Sequence, residues 1–502
     1  MDTVWQGTAG TVKTFDSLNP ATSEVIATFP VHGQAEVDAA VARGARAAAW
    51  WAGLGAKERR ARLLAWKSHL TRYLGRLAEL IHTETGKPLD DATLEIVLAV
   101  LHIDWAARHA ERVLGPRRVR SGLAALNQAA TVEYAPLGVV GVIGPWNYPV
   151  FTPVGSIAYA LAAGNAVVFK PSELTPAVGG WLVSSLREIV PEQPVLQLVT
   201  GDGRTGDALA RSAVNKIAFT GSAATARKVM AACAERLTPM IAECGGKDAM
   251  LVGSDADLDA AADAAAWGVV SNAGQTCIGI ERIYVVSDVY HSFLEKLAER
   301  MGAARPGDDR EAAYGPMTMP RQLDVVEDHI ADALARGGRS VIGGMQSVRK
   351  PYVEPVILAD VPEQSMAVQE ETFGPTVTVT RVADLAEGIT LANASRYALG
   401  SAVFARGRKK AMAAARSLRA GMTAVNSVIA YATVPALPFG GSGDSGFGRI
   451  HGADGLREFA RAKAITRQRM RSPLPVTSLA RTGKDLRRLV SLVTFLHGRR
   501  YL

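Results

Sequence analysis

The sequence predicts an α/β protein: a doubly wound parallel-sheet domain followed by a second α/β region. Three observations predict it. From Ala166 to Ser254, β-branched apolar stretches alternate with helical ones, the pattern of parallel β-α-β units. The segments KPSE, TGDG, TGS and ECGG fall at the carboxyl ends of those strands, where open α/β sheets bind ligands, nucleotides among them. A second alternation runs from about Asp255 to Asn426.

In chain order, Gln34 to Gly115 reads as helical. EVDAAVARGARAAAWWAGL and KERRARLLAWKSHLTRYLGRLAELIHTETG space apolar residues by three and four, and Gly86 with Pro88 closes the second. Thr131 to Val142, broken by Pro and Gly, reads as strand and turn. No charged residue occurs from Ala135 to Phe169, but Pro136, Pro145, Pro149 and Pro153 would break a membrane helix. A buried loop-and-strand core beside an active site is expected there. AVVFKPS, VLQLVTG and KIAFTGS read as strands, with helices over Pro176 to Ile189, Arg204 to Ser212 and Ala223 to Glu235. MIAECGG and AMLVGS follow as strands, and RIYVV, SVIGG, VEPVIL, TVTVTRV and GSAVFA are the strands of the second region. No repeat with a period of about 20–50 residues is present.

With 502 residues the chain is long enough for two or three domains. Its three cysteines, Cys233, Cys244 and Cys277, are too few for a disulfide framework and suit a reducing cytosol. The first ten residues lack the basic-then-apolar pattern of a signal peptide. Ten Lys or Arg and one acid lie between Lys463 and Leu502, so the net charge of +8 belongs to the tail. The main body gives no reason to expect nucleic-acid binding.

Val195 to Leu209 contains a literal G-x-G-x-x-G at Gly201, Gly203 and Gly206. Strand and helix flank it as a dinucleotide fingerprint requires, but the acidic residue expected about 20 residues later is missing. It is a phosphate cradle or a plain strand-to-helix turn. Cys277 follows the polar turn GQT and precedes an apolar run. It is a small buried hydrophobe or a nucleophile, the latter if a helix starting beside it lowers its pKa. Glu243, between apolar strands, is a general base raised by burial or a partner of Lys247. Asn147 in GPWNYP is an oxyanion donor or a turn residue between prolines. Lys170 and Glu173 are surface charges or a grip on ribose hydroxyls. The nine scattered histidines show no metal-ligand spacing, and no metal site is expected.

Seven motifs, in order, resemble the aldehyde dehydrogenase superfamily: GPWNYP at Gly144–Pro149, KPSE at Lys170–Glu173, FTGS at Phe219–Ser222, ECGGK at Glu243–Lys247, GQTC at Gly274–Cys277, EETFGP at Glu370–Pro375 and PFGGSGDSGFGR at Pro438–Arg449. The resemblance covers about residues 14–470. It implies that Cys277 attacks the aldehyde, that Asn147 and the Cys277 backbone N–H hold the oxyanion, and that Glu243 activates the water that hydrolyses the thioester. It implies a cofactor site with Trp146 and Lys170 lining it, Glu173 on the adenosine ribose, and Gly203 near the adenine. Phe219, Gly221 and Ser222 would lie at the pyrophosphate, with Glu371 and Phe373 at the nicotinamide ribose. The G-x-G-x-x-G then belongs to the cofactor domain without being its phosphate cradle. A carboxylate at Glu173 would repel a 2′-phosphate, so NAD is favoured over NADP.

The resemblance also implies a small β oligomerisation element and a homodimer or homotetramer. The expected domains are 1–121 with 137–244 for NAD, 245–441 for catalysis, 122–136 with 442–475 for assembly, and a basic amphipathic tail over 476–502. Ala226, Cys244 and Arg461 depart from common family patterns, and Arg461 stands where many relatives have a glutamate assisting proton relay. The pocket should be lined by YPVFTPVGS, the surroundings of Cys277 and AYATVPALPF. These are apolar, and no arginine follows PWNYP to hold a carboxylate as in some succinic semialdehyde relatives, so a neutral, long-chain or aromatic aldehyde is expected. NAGQTCIGIERIYV and LPFGGSGDSGFGRIHG resemble a bacterial branch that includes diapolycopene-dialdehyde-type dehydrogenases. In the tail, Leu486, Leu489, Val490, Val493 and Leu496 share a helical face flanked by Arg487, Arg488, Arg499 and Arg500. It would make peripheral contact with an anionic membrane, or pack on a partner subunit. The competing readings are a succinic-semialdehyde-type enzyme, a coenzyme A-acylating relative, which Glu243 argues against, and a catalytically silent NAD-binding protein.

Overall fold

The computed structural model describes residues 13–122, 125–472 and 476–498. Two compact units are present. One takes in the chain up to Val113 and Pro136–Arg461, the other Leu114–Ala135 and the chain from Ala462 onward.

The first unit holds two large sheets, whose strands are numbered here in chain order. The first sheet contains β1 (Val139–Ile143), β2 (Ala166–Lys170), β3 (Leu196–Leu198), β4 (Lys216–Gly221) and β5 (Met240–Cys244). The second contains β6 (Asp248–Val252), β7 (Ile280–Val286), β8 (Arg339–Ile342), β9 (Val356–Ala359), β10 (Thr376–Val382), β11 (Ser401–Phe404) and β12 (Ala424–Val425). A two-residue strand, β13 (Gly446–Phe447), returns to the first sheet antiparallel to β5.

The first sheet runs β13-β5-β4-β1-β2-β3, and β1 to β5 are mutually parallel, as the alternation predicts. Every residue of β1 and β2 is buried. Between them lies the helix Phe151–Ala162, of which only Thr152 is not buried. The long uncharged run is therefore the core of a sheet covered on both faces, which leaves no place for a charge. The second sheet runs β8-β9-β10-β7-β6-β11-β12, parallel except for β8.

Three details differ from the sequence reading. MIAECGG and AMLVGS, adjacent in sequence, belong to different sheets, and only Gly245, Gly246 and Lys247 join them. VEPVIL is cut into Tyr352–Val353 and β9, because Pro355 has no N–H to give a ladder. The helical region is four helices, Gln34–Gly53, Gly55–Arg72, Leu74–Thr85 and Leu89–Leu114. At the break Tyr73 has φ −102° and ψ 21°, and Gly75 follows in the first turn of the next helix.

The second unit holds a three-stranded sheet of Arg117–Val119, Gln128–Pro136 and Ala460–Gln468, the middle strand being Gln128–Pro136. A tail helix, Gly483–His497, starts on a capping box of Thr482 and Asp485. None of its residues is buried, and Leu486, Val490, Val493 and Phe495 are exposed. Arg499 and Arg500 lie outside the described residues. No described helix is long and apolar enough to cross a membrane.

Candidate active site

Cys277 sits at the end of a tight backbone reversal. Asn272, Ala273 and Gly274 are all left-handed, with φ of 54°, 56° and 71°. A β-carbon at Gly274 would lie 2.1 Å from the Gly374 carbonyl oxygen, so only glycine fits there. The chain then turns through Cys277 directly into β7, and no helix begins at the thiol. The expected lowering of its pKa is therefore overturned. Burial first, then the charges of Glu243, Glu371 and Asp248, push the thiol well above its ordinary value. Glu243 is the charged neighbour that weighs on it most.

Glu243 lies near the carboxyl end of β5 and is 3 % exposed. Burial pushes its carboxyl up to about 8. Its Oε1 has no hydrogen-bond partner among the described residues. The alternative pairing with Lys247 does not occur, since that ammonium bonds Glu281 and Thr372 Oγ1. A carboxyl poised near neutral pH against a thiol can take and return its proton.

Two cavities meet here. One, of about 780 Å³, is lined by Tyr148, Phe151, Phe439 and Ile450 and by one face of the Leu89–Leu114 helix. The other, of about 800 Å³, is lined by Trp146, Asn147, Gly221, Ser222, Glu371 and Phe373. Thr152, Glu243 and Cys277 line both. The expected pocket segments thus contribute, but the helix residues Asp91, Leu94 and Leu98, and Trp267, were not foreseen.

Each cavity is braced by a buried Lys–Glu pair that sequence reasoning missed. On the first side, Lys87 Nζ donates to Glu95 (2.7 Å) and to the Asn147 carbonyl (2.7 Å). Glu95 Oε1 accepts from the backbone N–H of Val150 (2.7 Å) and Phe151 (3.1 Å), at the start of the Phe151–Ala162 helix. Asn147 Nδ2 donates to the Gln275 carbonyl at 2.8 Å, which orients the amide. On the second side, Lys247 pairs with Glu281, whose carboxylate accepts from the N–H of Thr372 (2.8 Å) and Phe373 (2.9 Å). That clamp holds Phe373 at a φ of 51°, edge-on to Trp146 with ring centroids 5.6 Å apart. Glu371 accepts from the Gly246 N–H at 3.0 Å, and a β-carbon on Gly245 would lie 2.0 Å from its carboxylate.

The second cavity suits a dinucleotide. The helix Ala223–Ala234 opens onto it at Ser222, which caps that helix by accepting from Thr225 N, and a helix start favours phosphate. Glu371 can accept from ribose hydroxyls. Phe219 is buried against Gly221. Lys170, Glu173 and Gly203 do not line this cavity. Lys170 ends β2, Glu173 follows it, and Gly203 lies beyond the carboxyl end of β3. Lys170 is 4 % exposed, burial lowers its pKa, and it pairs with the exposed Glu173 at 3.3 Å. Gly203 opens the helix Gly203–Arg211, whose N-cap is Asp202. That carboxylate accepts from the Arg204 N–H at 2.8 Å, an N–H that a phosphate at this helix start would otherwise use.

The aldehyde dehydrogenase family model matches residues 5–465. This chain belongs to the aldehyde dehydrogenase family. It is 36% identical over 487 residues to a 4,4'-diapolycopene aldehyde oxidase of Methylomonas sp, covering 97% of this chain and 92% of the relative. It is 35% identical over 465 residues to a probable NADP(+) succinate-semialdehyde dehydrogenase of Sinorhizobium fredii, covering 91% and 93%. Among solved structures, PnpE from Pseudomonas sp. WBC-3 superimposes with a TM-score of 0.87 at 33% identity, covering 92% of this chain and 95% of that one, and PnpE has also been solved with nicotinamide adenine dinucleotide. The chain is thus an NAD(P)-dependent aldehyde dehydrogenase with that family's α/β fold.

Proposed function

We propose that this aldehyde dehydrogenase oxidises a neutral, apolar aldehyde to its carboxylic acid through a covalent intermediate on Cys277. The observation that carries the reading is the meeting of an apolar cavity and a dinucleotide-shaped one at Cys277 and Glu243. Glu243 takes the thiol proton, and the thiolate adds to the aldehyde carbonyl. Asn147 spends one amide N–H on Gln275, and its second, with the Cys277 backbone N–H, holds the oxyanion of the thiohemiacetal. When bound, NAD(P) supplies the hydride acceptor. Trp146, Phe219, Gly221, Ser222, Glu371 and Phe373 hold its phosphate and nicotinamide end, and Lys170, Glu173 and Gly203 its adenosine end. Loss of hydride leaves a thioester on Cys277. Once that first proton has passed to solvent, Glu243 deprotonates the water that cleaves the thioester and returns the water's proton to the departing sulfur, releasing acid and thiol.

Glu173 favours NAD over NADP by repelling a 2′-phosphate, although Lys170 beside it moderates the effect. Residues 1–121 with 137–244 serve NAD, 245–441 catalysis, and 122–136 with 442–475 assembly into a homodimer or homotetramer. The tail helix binds an anionic membrane surface through the face of Leu486, Leu489, Val490, Val493 and Leu496, delivering the enzyme to lipid-soluble aldehydes in a cytoplasmic, peripheral setting. The diapolycopene relative favours such a substrate.

Following NADH formation over short, long-chain, aromatic and polyene aldehydes tests this reading. Turnover favouring long apolar aldehydes and abolished by Cys277→Ala supports it. Cofactor binding without oxidation of any aldehyde refutes it. Liposome flotation tests the tail: the full chain should bind anionic vesicles, and deletion of Ser478–Leu502 should abolish that. An unbound full chain sinks the membrane role alone.

A further inference from the structure

We propose that Asp91 excludes aldehydes bearing a carboxylate at their far end, and so confines this site to substrates with an uncharged tail. The inference rests on the reading of the apolar cavity as the aldehyde tunnel. Asp91, Leu94, Glu95 and Leu98 follow one another at three-and-four spacing on the Leu89–Leu114 helix, and all four line the tunnel. Leu94 and Leu98 are apolar. Glu95 is buried and fully engaged, bonding Lys87 and two backbone N–H groups. Asp91 is different. Its carboxyl makes no hydrogen bond and no ion pair among the described residues, yet it is only partly exposed.

A structural reason for this carboxylate is hard to find. Helix starts favour acidic side chains, but Asp90, exposed in the same turn, already supplies one. Burial pushes the Asp91 carboxyl up, so its position costs stability. An unpaired charge kept at such a cost on the wall of a cavity acts on what enters the cavity.

The other charges on the wall do not offset it. Lys87 is the single cation among the described residues lining this tunnel; it attracts Asp91, but Glu95 already matches its charge, two of its N–H groups go to Glu95 and the Asn147 carbonyl, and it lies over the Tyr148 ring. Lys87, Glu95 and Asp91 together carry one net negative charge. An aldehyde with a terminal carboxylate would enter a part-desolvated channel, meet that charge, and find no unpaired cation to hold its own, the Thr152 and Ser271 hydroxyls being neutral donors. An alkyl, aryl or polyene tail instead packs on apolar wall residues such as Leu94, Leu98, Phe151, Trp267 and Phe439.

The test compares hexanal, 6-oxohexanoate and the methyl ester of 6-oxohexanoate on the full-length enzyme with NAD. An uncompensated like charge at this range should cost the carboxylate substrate about tenfold or more in kcat/KM relative to the other two. In Asp91→Asn the ratio of hexanal to 6-oxohexanoate should fall by about tenfold. Both substrates are read on one preparation, so any loss of folded protein cancels, and Asp91→Ser provides a second variant. A wild-type preference for 6-oxohexanoate would overturn both this proposal and the neutral-aldehyde reading. A wild-type preference for hexanal that persists unchanged in both variants would overturn the role of Asp91 alone.

Discussion

The two cavities that meet at Cys277 are braced alike and built differently. In each, a buried lysine pairs with a glutamate whose carboxylate accepts two consecutive backbone N–H groups: Val150 and Phe151 on the aldehyde side, Thr372 and Phe373 on the cofactor side. On the aldehyde side the clamp fixes a helix start and the carbonyl of Asn147, in a wall that is otherwise mostly apolar. On the cofactor side it fixes a left-handed loop that presents Glu371 and Phe373. The difference teaches that the aldehyde side is shaped mainly by side-chain packing and the cofactor side mainly by backbone conformation.

Removing the shared element should have the largest effect. Cys277→Ala should lower kcat by roughly four orders of magnitude while NAD still binds, measured by NADH formation and by titration of NAD against protein fluorescence. Retained turnover would place the nucleophile elsewhere.

Glu243→Gln should lower kcat by about 10²- to 10⁴-fold, the usual worth of a general base. In the wild type the base works ionised, so the rate should climb as pH rises through about 8. Stability should run the other way. The folded carboxyl holds its proton up to about 8, whereas an unfolded glutamate loses it near about 4.3. Between those values the folded state binds more protons, so stability falls as pH rises. The Tm advantage of Glu243→Gln over wild type should therefore widen from pH 5 to pH 8. A constant gap would show that Glu243 is not buried as described.

The two clamps can be separated next. Glu95→Gln and Glu281→Gln each leave a buried ammonium without its counter-charge and should cost about 3–5 kcal/mol in denaturant unfolding. Their kinetic signatures should diverge, with Glu95→Gln acting on aldehyde KM and kcat, and Glu281→Gln on NAD affinity. Identical signatures would end the comparison. The smallest effect is expected at the far end of the cofactor, where Glu173→Gln should narrow the NAD-to-NADP preference by about tenfold or less, since the carboxylate is exposed and screened.

The parts of this molecule that were legible are those whose signal is local. Strand–helix alternation follows from the period of apolar residues, and the chemical motifs are contiguous short segments. The clamps were not legible, because Lys87 meets Asn147 across 60 positions and Glu281 meets Thr372 across 91. Nothing near either lysine marks it as buried. Asp91 was missed for the same reason, since its meaning comes from a cavity whose other wall lies hundreds of residues away. The helix expected at Cys277 failed because a polar turn before an apolar run also describes a left-handed reversal feeding a strand.

The tunnel face of the Leu89–Leu114 helix carries none of the motifs that mark the family. Asp91, Leu94 and Leu98 sit far in the chain from the cysteine and the base, on a surface that touches the visitor and not the reacting atoms. Drift along that face could retune which aldehydes are accepted while the chemistry stays fixed. A lineage can therefore explore new metabolic roles one helix position at a time, and a library confined to these three codons is where an engineer would look for the next specificity.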